Sequence, residues 1–255
     1  MNILGARGAT GPFELSIGFL AAGGILASLL WKENKAETSV ASDGEKSEPT
    51  IRDAIKVVKD DPNIMLVGAV QSLFEAAMYI FVLQWPPAIT GIIADAFGGM
   101  ATPYGTVFSC FMASCLLGST IFGQLVKRNV STESSTAAML SVATVAMTIA
   151  AWISKADSVI AMPLASLVAA FFAFEGCVGM YFPSIGTLRS KYVPDSHRSV
   201  IMNLFGIPLN VLVVTVFLSI KKLGVSGALG VSAGALGLAT ASMFKLRSRA
   251  KAAAA

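Results

Sequence analysis

The chain has 255 residues, 55% of them hydrophobic and 13% charged, with a formal net charge of +4. A soluble domain carries nearer ~25% charged residues. With a mean hydropathy of +0.70, these figures exclude an ordinary soluble domain and point to an all-α, multi-pass membrane protein. The small basic excess lies between apolar runs rather than in one patch, which excludes a nucleic-acid surface and any nucleic-acid partner.

Leu15 to Trp31 is the first apolar run. Glu14 precedes it and Trp31-Lys32-Glu33 follows it, which favours a true membrane span over a cleaved signal peptide. Lys32 to Asp61 is the one long polar segment. Its part from Thr38 to Pro49, rich in Ser, Glu, Lys and Asp, is expected to be disordered. Thr50-Ile-Arg-Asp53 then reads as a capping box. Ile51, Ala54, Ile55 and Val58 recur at helical spacing opposite Arg52, Lys56 and Lys59, which predicts a short amphipathic helix against the membrane surface or the bundle. Asp61-Pro62 is a helix start, with Asp as N-cap and Pro as first helical residue.

Six further apolar runs follow. Asn63 to Ile89 is long enough to cross a ~30 Å hydrocarbon core at ~1.5 Å per residue. It holds Glu75 near its middle, where an ionisable group costs at least ~2.5 kcal/mol to insert and therefore faces protein or water. The next spans are Thr102 to Val126, Thr136 to Ser154, Val159 to Leu188 with Glu175, Val200 to Ile220 with Asn203, Pro208 and Asn210, and Ser226 to Phe244. The expected divisions are 1–31 for the N-terminal region and first span, 32–61 for the loop with its amphipathic helix, 62–245 for a six-helix block, and 246–255 for a tail. With the N-terminus outside, the long loop, 127–135, 189–198 and the C-terminal tail are cytoplasmic. They then hold fifteen of the nineteen Lys and Arg, which favours N-out, C-in.

Phe74-Glu75 and Phe174-Glu175 both sit near mid-span, 100 residues and three spans apart, each followed by Met-Tyr with a two-residue shift. Three is odd, so the second copy enters the membrane from the opposite side: two inverted three-helix repeats. Chance likeness between apolar runs is the plainer alternative. As first helices of their units, the two would line a wet pathway with Glu75 and Glu175, along with Gln71, Tyr79 and Tyr181. Such titratable carboxylates suit proton coupling; neutral buried carboxyls bonded to a neighbouring helix are the alternative. Asn203 and Asn210 share a helix face and would line the same path, or simply bond between helices. Pro86-Pro87 and Pro183 are expected to bend their helices, and Gly230-x-x-x-Gly234 to permit close packing. Arg189, Lys191, His197 and Arg198 gather at one turn, where Arg189 and Arg198 would act as a cytoplasmic gate or an anion-attracting vestibule, or merely follow the charge rule for loops. Cys110, Cys115 and Cys177 all lie in apolar runs with no metal-ligand spacing, so buried reduced thiols are expected. No nucleophile motif, phosphate loop or redox pair is present, and neither enzyme activity, a metal nor a cofactor is expected.

Gln71-Ser-Leu-Phe74-Glu75-Ala-Ala-Met78-Tyr79-Ile-Phe81-Val-Leu-Gln-Trp85-Pro-Pro87-Ala88 resembles the molybdate-anion transporter family of the major facilitator superfamily. So do Tyr192-Val-Pro194-Asp-Ser-His-Arg198-Ser-Val-Ile-Met202-Asn203-Leu-Phe205-Gly-Ile-Pro208-Leu-Asn210 and, more weakly, Gly11-Pro-Phe13-Glu-Leu-Ser-Ile-Gly18. The resemblance implies a transporter of two six-span halves, of which this chain would supply the sixth span, the central loop and spans seven to twelve. It would then be a truncated product, a fragment or an incomplete gene model. Where the family often carries a basic residue this chain has Gly206. Gly123-Gln-Leu-Val-Lys127-Arg128 lacks the Asp of the superfamily's Gly-x-x-x-Asp-Arg signal.

The resulting expectation is an alternating-access transporter in the plasma membrane, moving an oxyanion, molybdate by resemblance. Lipid surrounds it, and an N-terminal half chain or a homodimer completes the cavity. A dianion 5 Å from an ionised Glu75 is repelled by roughly 6 kcal/mol at an effective dielectric of 20. Glu75 should therefore be protonated, or paired with an Arg from the other half, when substrate binds. A seven-span receptor or scaffold, and an inactive half-transporter, are the competing readings.

Overall fold

Asp61 and Pro62 set the register of the bundle. The Asp61 carboxylate accepts the Asn63 N–H at 2.8 Å, and the helix that Pro62 opens runs to Phe97. A computed structural model of the chain describes residues 10–32, 50–97, 101–155 and 163–254. It divides into two units, Met1–Glu48 and Pro49–Ala255. The polar stretch expected to be disordered and the expected start of the span at Val159 lie outside the described residues.

In the first unit, α1 (Gly11–Leu30) starts four residues before the expected span. It ends where the Trp31 N–H bonds the Ala27 carbonyl at 2.8 Å. Phe13, Phe19, Leu20, Leu29 and Leu30 are exposed around it, as suits a helix in lipid.

In the second unit, α2 (Ile51–Asp60) is the predicted amphipathic helix, and the Asp53 carboxylate accepts the Thr50 N–H at 3.2 Å. Ala54 is fully buried and clusters with Ile64, Val193, Ile201 and Phe205, so α2 packs on the bundle. Six longer helices follow: α3 (Pro62–Phe97), α4 (Tyr104–Lys127), α5 (Thr132–Ile153), α6 (Pro163–Tyr192), α7 (Arg198–Leu218) and α8 (Ile220–Ala254). With α1, seven helices are long and apolar enough to cross a membrane, and no strand occurs among the described residues. The chain is an all-α, multi-pass membrane protein.

Several helix ends differ from the reading of the sequence, each for a local reason. Asn129 takes the left-handed conformation (φ 56°) after α4, and the Val130 N–H reaches back to Leu125 O at 3.1 Å. α5 begins at Thr132 rather than Thr136, because Ser131 caps it through the Ser134 N–H. Pro86-Pro87 and Pro183 lie within unbroken helices. Gly224, at φ 63°, interrupts the start of α8, so its continuous part begins one residue before the expected Ser226. At the other end α8 continues through the expected tail to Ala254, and Arg249 Nε bonds Asn63 Oδ1 of α3 at 2.8 Å.

The packing repeats. α4 packs on α6 as α7 packs on α3, and α5 packs on α6 as α8 packs on α3; α3 meets α6, and α5 meets α8. Exchanging α3 with α6, α4 with α7 and α5 with α8 leaves this set of neighbours unchanged. Burial follows the exchange for two of the three pairs: 61% and 56% of the membrane windows of α3 and α6 are buried, against 17% and 22% for α4 and α7, whereas α5 and α8 differ at 50% and 33%. The Phe74–Tyr181 and Phe81–Phe171 ring contacts show that α3 and α6 run antiparallel, so the two three-helix units are inverted.

Two kinds of close approach hold the units together. A Cβ on Gly118 would overlap the Gly176 carbonyl, and one on Gly179 the Cys115 carbonyl, so α4 and α6 touch backbone to backbone. Gly68 instead receives the Phe205 ring, and the neighbouring Ser72 hydroxyl lies 2.7 Å from the Phe205 carbonyl. The expected Gly230-x-x-x-Gly234 contact is not made: both glycines face open space. Cys177 is buried as expected and Cys115 partly so, but Cys110 is exposed on the outer side of α4.

Candidate functional site

Glu75 stands one turn beyond Gln71 on α3, and Tyr181 and Arg189 stand eight residues, about two turns, apart on α6. Because the helices run antiparallel, the early part of α3 lies against the late part of α6, and these four side chains meet. Arg189 Nη2 donates to Glu75 Oε1 at 3.1 Å, and Arg189 Nε to Gln71 Oε1 at 3.0 Å. The Tyr181 hydroxyl donates to the same Glu75 oxygen at 2.9 Å. Tyr181 and Gln71 are buried, whereas the Arg189 and Glu75 side chains remain 24% and 22% exposed. The result is a neutral ion pair with one side open.

The other candidates fall elsewhere. Tyr79 is half-exposed, one turn past Glu75, and makes no bond to the cluster among the described residues. Its match to Tyr181 in the sequence repeat is therefore not the structural one. With a constant offset of 100, Phe74 corresponds to Phe174 and Tyr181 to Phe81. The rings agree: Phe74–Tyr181 are 4.1 Å apart and Phe174–Phe81 4.9 Å. Glu175 is buried at 6% exposure, beside Gly176 on the face that packs on α4, and has no hydrogen-bond or ion-pair partner among the described residues. Asn203 and Asn210 are exposed on α7; the Asn210 amide donates to the Gly206 carbonyl of its own helix at 2.7 Å.

The four basic or imidazole residues of the α6–α7 turn do not form one vestibule. Arg189 turns to α3, Arg198 pairs with Asp195 and donates to Val193 O at 3.2 Å, and Ser196 Oγ and His197 Nδ1 lie 2.8 Å apart. Lys191 Nζ reaches Glu133 on α5 at 2.5 Å, and the Tyr192 hydroxyl donates to the same Glu133 oxygen at 2.8 Å. Glu133 is almost wholly buried, and nothing in the sequence singled it out. It sits in the first turn of a helix whose start was hidden in a run of Ser and Thr, and its partners lie 58 and 59 residues away. The last turns of α6 are thus clamped to α3 by Arg189 and to α5 by Lys191 and Tyr192.

A multi-pass bundle of two inverted three-helix units, with an ion pair in the crossing of their first helices, has the build of a membrane transporter. A family model described as sugar transporters with 12 transmembrane segments, MFS_5, matches residues 2–182. The chain belongs to that family of the major facilitator superfamily. Its relatives include the molybdate-anion transporter of Xenopus tropicalis, 28% identical over 205 residues, which are 80% of this chain and 42% of the relative. They also include those of Takifugu rubripes, 27% identical over 256 residues, and Danio rerio, 28% identical over 258, each covering 93% of this chain and 50% of the relative. The chain spans about half the length of the curated relatives it matches. No solved structure matches it significantly.

Proposed function

We propose that the chain is the substrate-contacting half of an oxyanion transporter, with molybdate as its substrate, working by alternating access. One observation carries the reading: a fixed guanidinium, Arg189, is held inside the bundle by Glu75 and Gln71 and is still partly open. A cation so placed favours a charged oxyanion over a neutral solute. The names of the relatives support molybdate; the family description, sugar transporters, supports the competing substrate class.

Glu75 is the coupling or gating carboxylate of this reading. The counter-ion expected from another half is instead Arg189 of the same chain, so the pair is complete within this bundle. Glu175, walled in against α4, takes a secondary part as a proton-accepting group. The basic ends of α4, α6 and α8 and the start of α7 lie at one end of the second unit, together with α2. By the charge rule this end is cytoplasmic and the N-terminus outside; the reading takes the membrane to be the plasma membrane. An N-terminal half chain or a second copy supplies the opposite wall of the cavity.

Uptake of labelled molybdate and of labelled hexose into proteoliposomes containing the full gene product separates the two substrate classes. Molybdate uptake competed by tungstate, and no hexose uptake, is the expected result. Hexose uptake that excess molybdate leaves unchanged would reject the oxyanion reading.

A further inference from the structure

We infer that Glu75 is the resident occupant of an anion site on Arg189, and that the Glu75 carboxylate and a tetrahedral oxyanion alternate on that guanidinium. The inference rests on the oxyanion reading above and gives it a site. A guanidinium has five N–H donors. Arg189 uses Nε on Gln71 and one Nη2 hydrogen on Glu75, and its other three have no partner among the described residues. Those three lie on both terminal nitrogens, the edge that grips two oxygens of one oxyanion.

The neighbours are arranged for such a ligand. Gln71 presents its oxygen to the Arg189 Nε–H, which fixes the amide's orientation and leaves its NH2 group without a partner among the described residues. The buried Tyr181 hydroxyl donates to Glu75 Oε1 and has no other acceptor among the described residues, so it is freed when Glu75 leaves. Glu75 takes both of its bonds on Oε1, and its Oε2 has no partner among the described residues. The carboxylate is therefore held from one side and can withdraw. Arg189, Tyr181 and Gln71 together then offer donors to several corners of a tetrahedral dianion. The same carboxylate that fills the site in the resting protein repels the dianion while it stays there, so Glu75 is a rival of the substrate.

This assignment gives an unusual sign. Removing the charge of Glu75 should tighten substrate binding, whereas a carboxylate that helps to bind substrate would weaken it when removed. The test is equilibrium binding of molybdate to the purified full gene product in nanodiscs, with tungstate and sulfate as further probes. Glu75→Gln keeps an oxygen for Tyr181 and should bind molybdate about tenfold tighter, the scale set by losing one partly exposed ion-pair competitor. Its transport turnover should fall, because release is slower. Arg189→Gln should bind at least about tenfold weaker, and the double variant should bind like Arg189→Gln, since the gain acts through Arg189. Should Glu75→Gln fail to fold, Glu75→Asp retracts the carboxylate by one methylene and carries the test with the same sign. Equal or weaker molybdate binding by these Glu75 variants, beside a wild type that binds, would overturn the inference and leave the oxyanion reading standing. A wild type that binds none of the three anions would overturn both.

Discussion

The two ends of the α3–α6 crossing differ more than their repeated sequence suggests. At one end Gln71, Glu75, Tyr181 and Arg189 form a polar cluster. The positions that exchange with them, at the constant offset of 100, are Phe171, Glu175, Phe81 and Ile89. Phe81 packs edge-on against Phe171 at 5.1 Å, and Phe111 and Trp85 extend the aromatic cluster. Glu75 and Glu175 therefore hold equivalent places with opposite surroundings. Where Glu75 meets a hydroxyl and a guanidinium, Glu175 would meet a phenyl ring and an isoleucine. The repeat fixes where each first helix lies, and a few unmatched side chains decide which end does chemistry.

The largest test of the comparison lies in the packing of the outer helices. Gly179→Ala drives a methyl group into the Cys115 carbonyl, which cannot move aside, whereas Gly68→Ala meets the Phe205 ring, which can turn. Gly179→Ala should destabilise by more than about 3 kcal/mol and Gly68→Ala by about 1–2, read as melting midpoints in detergent. Equal losses would show that the two outer contacts are alike after all.

Breaking the polar end comes next. Arg189→Gln leaves the Glu75 carboxylate and the Gln71 oxygen without their cation, at about 1–3 kcal/mol given their partial exposure, and molybdate uptake should fall at least about tenfold. A variant that melts lower but transports normally would make Arg189 a purely structural strut. Glu133→Gln, at the second clamp on α6, should cost about 1–2 kcal/mol by weakening the bonds from Lys191 and Tyr192; a matching loss in Lys191→Met would assign that cost to the ion pair. The smallest and sharpest change is Phe81→Tyr, which places on the apolar end the hydroxyl that Tyr181 supplies to Glu75. If the exchange relation holds, it gives Glu175 a donor and raises stability by ~1 kcal/mol. A drop in melting midpoint would mean that the equivalence fails at side-chain level.

Much of this was legible from residue order. Asp61-Pro62, the apolar runs and the separated basic clusters marked the spans, and the paired Phe-Glu motifs marked the inverted repeat. The sequence points to Glu75, Gln71 and Tyr181, but it also groups Tyr79 with them, because an i, i+4 stripe assumes that every residue on it faces the same neighbour. Sequence proximity groups Arg189 with Lys191 and Arg198, yet the three turn to three different elements. Glu133 gave no signal, since its partners come from another helix.

Residue order alone determined that this chain must live in lipid and how many times it can cross, and it pointed to a relation between the first and fourth bundle helices that the packing then bore out. Those properties follow from the hydrophobicity and length of local segments. Only the tertiary structure decided that Glu75 meets Arg189 while Glu175 meets neither cation nor hydroxyl among the described residues. That outcome depends on the rotation of each helix about its axis, which is set by the glycine contacts of α4 with α6 and by the seating of Phe205 on Gly68, and no single segment encodes it.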